Sequence, residues 1–185
     1  MDTVRHSTFM ETLEEFPLPD KIQNWVVNYL AGRSHCTKFA GTLSTLLEIN
    51  ASFFQGSGFG PVAFIFNNSK LRPVSSGNSL DKFADDTYLI VPPANSHTIK
   101  EELSHIASWS KSQNLNLNAS KTREMIVYRQ GSKPDELPAE IQGVQRVKEM
   151  KILGVIVSEN LSFKTHLDAK LKETAQGTPW CCDRN

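Results

Sequence analysis

Apolar residues recur at helical spacing along much of the chain, and helix-breaking residues separate these stretches. The stretch 6–16 is helix-like and ends before Pro17, which cannot continue a helix. A second helix opens at Pro19-Asp20 and ends at Gly32, since glycine commonly follows the last turn. The same spacing predicts two further helices, over residues 96–112 and 162–171.

Short runs of strand-forming residues lie between the predicted helices. Strands are expected over 36–40 and 45–54, and the alternation Leu115-x-Leu117 is strand-like before a further strand over 124–128. The run 62–66 fits a buried helix or a buried strand equally well. A hairpin is predicted between 144–147 and 151–157.

Two adjacent acids stand between apolar runs in the stretch 82–91. This pattern predicts a strand, a tight turn and a strand, with Asp85 and Asp86 at the tip. Neighbouring carboxylates repel each other, so a bound cation would explain the pair, and Mg²⁺ prefers carboxylate oxygen. The alternative is a solvated Asp-Asp turn, because aspartate favours turns.

A glycine-rich segment, Gln55-Gly56-Ser57-Gly58-Phe59-Gly60-Pro61, precedes the run 62–66. Glycines let a backbone bend sharply and approach a ligand closely. The Gly-Lys-Ser/Thr sequence of a phosphate-binding loop is absent from it. The segment therefore indicates either a ligand-contacting loop or a plain turn into a helix.

The composition is that of an ordinary globular chain, with 185 residues, 39% hydrophobic and 22% charged. No apolar run approaches the roughly 18 residues of a membrane span, and the first residues lack an apolar signal core. Three cysteines form no even framework, which suits a reducing compartment, so an intracellular protein without a membrane partner is expected. The net charge of zero argues against strong binding to nucleic acid by this chain alone.

Four motifs follow one another in a characteristic order, and together they carry a resemblance. They are Gln55-Gly56-Ser57-x-x-Gly60-Pro61, Phe83-Ala84-Asp85-Asp86, Asn114-Leu115-x-Leu117-Asn118-x-x-Lys121-Thr122 and Leu153-Gly154-Val155. This series resembles the reverse transcriptases of non-LTR retrotransposons, from Asp2 to about Leu167. The resemblance implies RNA-templated DNA synthesis, with an RNA template, a DNA primer and deoxynucleoside triphosphates as partners.

The implied fold is α+β: a right-hand polymerase palm with a small antiparallel sheet and helices packed on one face, without fingers and most of the thumb. On this reading residues 1–163 form the partial palm, 164–175 begin a thumb-like helix, and 176–185 form a disordered tail. The implied cofactor is a pair of Mg²⁺ or Mn²⁺ ions, which clamp the attacking and leaving oxygens of a phosphoryl transfer.

The resemblance also implies roles for individual residues. Asp85 and Asp86 match the catalytic metal-binding pair, and Lys121 matches a lysine that protonates the leaving pyrophosphate. The other implied site residues are Gln55, Gly56 and Ser57 against nucleotide and template, Phe83 at the nucleotide site, and Leu153, Gly154 and Val155 against the primer end. Core packing for Phe83 and a solvated turn for Lys121 are the alternatives.

One departure from the family pattern bears on activity. The family's first motif reads roughly Asp-x-Ser-x-Ala-Phe-Asp-x-Val-x-His, and Asp2-Thr3-Val4-Arg5-His6 matches only its end. Its catalytic aspartate would precede Met1, so one of three expected metal carboxylates is not in this sequence. The chain as given is therefore expected not to extend a primer, and the alternatives are an inert remnant or a palm reused to bind RNA or protein.

Overall fold

The computed structural model describes residues 4–53, 56–132, 134 and 136–176. The chain divides into two compact units, Met1–Leu117 and Asn118–Asn185. The proposed division into palm, thumb-like helix and tail at 163 and 175 stays a prediction.

Helices in the first unit follow the predicted pattern closely. The run left open between helix and strand, 62–66, lies inside a helix. The predicted start at Ser96 was wrong, because a 3-10 helix, Pro93–Thr98, comes first and the α-helix begins at Ile99. The α-helices are α1 (His6–Glu14), α2 (Asp20–Leu30), α3 (Phe59–Asn68) and α4 (Ile99–Ser112).

Residues 31–50 form an arm of two nested antiparallel pairs. The inner pair is β2 (Lys38–Phe39) with β3 (Thr42–Leu43), and the outer pair is β1 (Ser34–His35) with β4 (Leu47–Glu48). The predicted strand over 45–54 was wrong, since Leu47–Glu48 is the only strand among the described residues of that range. Nearly every residue of the arm is exposed, so no apolar face holds a longer strand in register.

The core of the first unit lies between α1, α2 and α3. Phe9 and Phe53 are both almost completely buried, and their rings meet edge to face with centroids 5.0 Å apart. Such pairs add to the stabilisation that burial alone provides. The buried set is Val4, Phe9, Leu13, Val26, Leu30, Phe53, Ala63 and Phe64.

The hairpin of the first unit consists of β5 (Ser79–Phe83) and β6 (Asp86–Ile90), paired antiparallel. The predicted strand at Leu115-x-Leu117 was wrong. The backbone at Leu115 instead closes the end of α4, because its N–H donates to the Ser110 carbonyl and its carbonyl accepts from the Ser110 hydroxyl.

The second unit contains a parallel pair, a hairpin and a helix. The parallel pair is β7 (Arg123–Glu124) with β8 (Gln145–Arg146), which Arg146 reinforces by donating two hydrogen bonds to Glu124, 2.8 and 3.2 Å long. These hydrogen bonds raise the pKa of the Arg146 guanidinium. The hairpin is β9 (Glu149–Ile152) with β10 (Val155–Ser158), and α5 (Lys164–Gln176) packs on β10.

The predicted partner of the 151–157 strand was wrong. Residues 144–147 do not form the hairpin; instead the chain turns within the predicted second strand, at Leu153-Gly154. Both turn residues have positive φ, 47° and 88°, the combination typical of a type I′ turn, whose twist matches that of the flanking strands.

The described strands form five separate two-stranded pairs, whereas the resemblance implied one small sheet. Helices and mostly antiparallel strands together make the fold α+β. In the described part of the chain, no helix combines the length and apolar character needed to cross a membrane.

Candidate active site

The two adjacent acids lie at the tip of the β5–β6 hairpin, as the pattern predicted. Phe83 pairs with Asp86 across the hairpin, so the turn consists of Ala84 and Asp85 alone. Both carboxylates are exposed, and the Tyr88 hydroxyl lies 3.4 Å from Asp86 Oδ2. The hairpin therefore presents two negative side chains to solvent on a short and well-defined turn.

Ala84 has a φ of 50°, in the left-handed region that glycine favours. Positive φ at the first of two turn residues is typical of a type II′ turn. We expect Ala84→Gly to raise the free energy of unfolding by about 0.5–1 kcal/mol, because it relieves this strain. Urea unfolding measures the change.

The control for this prediction is Ala107→Gly, at an exposed position inside α4. Glycine there should lower the free energy of unfolding by about 1 kcal/mol, because helical φ suits alanine. Destabilisation by Ala84→Gly of the same size as Ala107→Gly would contradict strain at the turn.

Phe83 is 61% exposed, so it does not pack in the core. Its side chain shares the outward face of the hairpin with Asp86, since the two residues are paired across the strands. Its implied place at a nucleotide site stays a prediction, and core packing is no longer the alternative.

Lys82 fixes the hairpin to α3. Its ammonium donates to the carbonyl of Asn68 at 2.6 Å and to that of Leu71 at 2.7 Å. These carbonyls are at and just after the C-terminal end of α3, where a cation also interacts favourably with the helix dipole. Burial, and next the charge of Arg72, lower the pKa of the Lys82 ammonium.

Glu102, on α4, holds the loop that leads into β5. Its side chain is completely buried, and its carboxylate accepts from the Val74 N–H at 3.0 Å, the Ser75 N–H at 2.8 Å and the Asn78 amide at 2.8 Å. Burial alone would raise the pKa of this carboxyl, but the hydrogen bonds from Ser75, Asn78 and Val74 outweigh burial and lower it. Glu102 is therefore charged at neutral pH, and both of its carboxylate oxygens accept hydrogen bonds.

Neither anchor of the hairpin was predicted from the sequence. Lys82 and Glu102 look like solvated residues of a strand and a helix, because their backbone acceptors and donors lie far away along the chain. The sequence held one weak sign that Glu102 is buried. Glu102 lies four residues after Thr98 and four before Ile106, so all three lie on the buried side of α4.

The glycine-rich segment enters α3. Gly56 has a φ of 82°, and, apart from its neighbours in the chain, no described residue has an atom within 4 Å of where a Cβ would be. There is therefore room beside the backbone at Gly56. The Ser57 hydroxyl accepts from the Gly60 N–H at 3.1 Å and so stabilises the first turn of the helix. Gln55, the other predicted residue of this loop, lies outside the described residues.

The remaining predicted site residues belong to the second unit. Lys121 is exposed in a turn, where its N–H donates to the Asn118 carbonyl at 3.1 Å and to the Asn118 side chain at 3.2 Å. Leu153 and Gly154 form the β9–β10 turn, with Leu153 53% and Val155 36% exposed. Their roles toward pyrophosphate and primer stay predictions.

Asp85 and Asp86 are the residues at the hairpin whose side chains could coordinate a metal ion. In the described part of the chain, no group of three or more His, Cys, Asp or Glu could hold a metal by itself. Two exposed carboxylates do suit Mg²⁺, which often takes one or two carboxylates and completes its shell with water and substrate phosphates. Asp85 and Asp86 therefore fit an ion that a nucleotide shares.

Comparison with known proteins shows the family of this chain. The chain belongs to the family described as reverse transcriptase (RNA-dependent DNA polymerase), whose model matches residues 1–157. The resemblance inferred from the four motifs is thereby confirmed.

Two curated relatives come from Drosophila melanogaster. "Probable RNA-directed DNA polymerase from transposon X-element" is 26% identical and aligns with 81% of this chain and 17% of its own length. "Probable RNA-directed DNA polymerase from transposon BS" is 24% identical, over 95% of this chain and 21% of its own length. The chain thus spans about a fifth of the length of these relatives.

Proposed function

We propose that this chain is the palm of a transposon RNA-directed DNA polymerase, which adds deoxynucleotides to a DNA primer on an RNA template. The observation that carries the proposal is the exposed pair Asp85 and Asp86, in and directly after the two-residue turn of an anchored hairpin in a chain of this family. Phosphoryl transfer depends chiefly on positioning and charge stabilisation, and a rigid acidic turn suits both.

Asp85 and Asp86 would hold Mg²⁺ or Mn²⁺ together with the triphosphate of the incoming nucleotide. When bound, two such ions supply the charge that stabilises the attacking and leaving oxygens. The protein's own part is to keep both carboxylates in place. Lys82 does this from one side through α3, and Glu102 does it through the loop before β5.

The other predicted residues complete the proposal. The open backbone at Gly56, with Ser57, would lie along the nucleotide and template, and exposed Phe83 would border the base or sugar. Lys121 would donate a proton to the leaving pyrophosphate, which is general acid catalysis. The turn at Leu153-Gly154-Val155 would support the primer end.

A primer-extension assay tests the proposed function. The chain would be compared with a version extended upstream through an Asp-x-Ser-x-Ala-Phe segment, each with Mg²⁺ or Mn²⁺ and a primed RNA. We expect the extended version to add nucleotides as the template directs, and the chain as given not to. Failure of the extended version, or extension that does not depend on Asp85, would contradict the proposal.

A further inference from the structure

Four side chains recur at every fourth position along α2 and just beyond it, in the order cation, aromatic, aromatic, cation. They are Lys21, Trp25, Tyr29 and Arg33, and we call them the α2 ladder. Lys21, Trp25 and Tyr29 lie on one face of α2, because they are four residues apart. Arg33 lies three residues beyond the end of the helix and reaches back to Tyr29, whose carbonyl accepts from the Arg33 Nε–H at 2.7 Å. The candidate active site uses none of these residues.

The rings of the α2 ladder are already stacked on each other. Trp25 and Tyr29 have ring centroids 5.2 Å apart with only 21° between their planes, and the Arg33 guanidinium lies over the Tyr29 ring at 5.3 Å. Trp25 nevertheless remains 51% exposed. A large, ordered and half-exposed indole is unusual as mere surface and is a typical feature of a binding site.

Phe59 connects the α2 ladder to the glycine-rich loop. Its ring meets Trp25 edge to face at 5.4 Å and Tyr29 at 5.0 Å, and Phe59 is the first residue of α3. Gly56, with its open backbone, precedes it by three residues. The ladder therefore contacts the first residue of α3, three residues after Gly56.

From this arrangement we infer that the α2 ladder is a stacking platform for single-stranded nucleic acid, which holds unpaired template beside the Gly56 loop. Bases stack on exposed aromatic rings whatever their sequence, while cations at both ends bind phosphates. The choice of ligand rests on the proposed function. A protein partner would be the other occupant of such a surface, but two cations framing a stacked aromatic pair match a base and its backbone better.

The platform makes a specific prediction about bases and phosphates. The probes are an unstructured single-stranded RNA of about 12 nucleotides, within the range that such sites occupy, and an abasic oligomer of equal length. Trp25→Leu keeps apolar volume but removes the aromatic face, so we expect it to weaken RNA binding about 10–100-fold and abasic binding by less than about twofold. Trp25→Tyr should restore most of the RNA affinity.

Fluorescence anisotropy of the labelled probes, without Mg²⁺ or nucleotide, measures these affinities. The matched control is Val27→Ala, an apolar residue of α2 that is 43% exposed and should leave binding unchanged. Lys21→Gln should weaken RNA and abasic binding alike and reduce the salt slope by about one. Equal affinity for RNA and abasic probe, no binding at all, or an equal loss in Val27→Ala would overturn the inference.

The two proposals fail in distinguishable ways. If the upstream-extended version does not extend a primer but RNA binding still depends on Trp25, the polymerase proposal alone would be overturned. Extension in the upstream-extended version, with RNA binding that does not depend on Trp25, would overturn the platform alone.

Discussion

Asp85→Asn is expected to lower the rate of templated nucleotide addition by about 10²–10³-fold in the upstream-extended version, with little change in stability. The asparagine keeps the shape of the side chain and removes the charge that would hold a metal ion. Asp85 is exposed in the turn, so the substitution opens no cavity and breaks no buried contact. The effect should therefore be on the chemical step and on metal affinity.

Single-turnover extension at several Mg²⁺ concentrations measures the loss, and urea unfolding checks the fold. Asp81→Asn is the matched control, because Asp81 is an exposed acid on the same hairpin, away from the turn, opposite Tyr88. It should keep the rate within about a few-fold of the unaltered version. An equal loss in both variants would mean that the general negative charge of the hairpin matters, and not the position of Asp85.

Glu102→Gln is expected to lower the free energy of unfolding by about 2–4 kcal/mol. The carboxylate accepts from three donors, and each of its oxygens receives at least one of them. An amide has one oxygen, so its NH₂ group must face the N–H of either Val74 or Ser75. At least one donor then loses its partner, and the charge that strengthened the other hydrogen bonds is gone.

The same carboxylate predicts a pH dependence. The pKa of Glu102 is lowered in the folded state, so its stabilisation is complete above the ordinary value of 4.5 and is lost as the pH falls through the folded-state pKa. The difference in unfolding free energy between the unaltered chain and Glu102→Gln should shrink as the pH falls from 7 into that range. Glu101→Gln, at the exposed neighbouring position, should stay within about 0.5 kcal/mol at either pH.

A difference between the two proteins that is the same at pH 7 and well below 4.5 would contradict a charged Glu102. If Glu101→Gln lowered the free energy of unfolding as much as Glu102→Gln does, the negative charge of α4, and not the buried hydrogen-bond network, would account for the stabilisation.

The sequence pattern predicted secondary structure correctly where residues close together in the chain determine it. The hairpin around Asp85 and Asp86 was predicted correctly because apolar residues flank the turn and its two strands follow each other directly in the sequence. The helices α1 and α2 followed from apolar spacing bounded by prolines and a glycine. Family membership followed from the order of four motifs, although none of them was decisive alone.

Features set by distant contacts were not predictable. The alternation Leu115-x-Leu117 looks like a strand, but Leu115 is held by Ser110 at the end of α4 and has no partner strand in the described structure. The turn at Leu153-Gly154 was hidden inside an apolar run, because leucine rarely has positive φ. The anchors Lys82 and Glu102 each join segments that lie 11 to 28 residues apart.

The Lys82 contact has a consequence for how this sequence can diverge. Its two acceptors are the main-chain carbonyls of Asn68 and Leu71, and any amino acid at those positions would supply the same oxygen. Substitutions at the acceptor positions therefore need no compensating change at Lys82, and the selective constraint of this contact falls on Lys82 alone. A relative with little identity in α3 could keep its acidic turn anchored in the same way, provided that it keeps one cation three residues before the first aspartate.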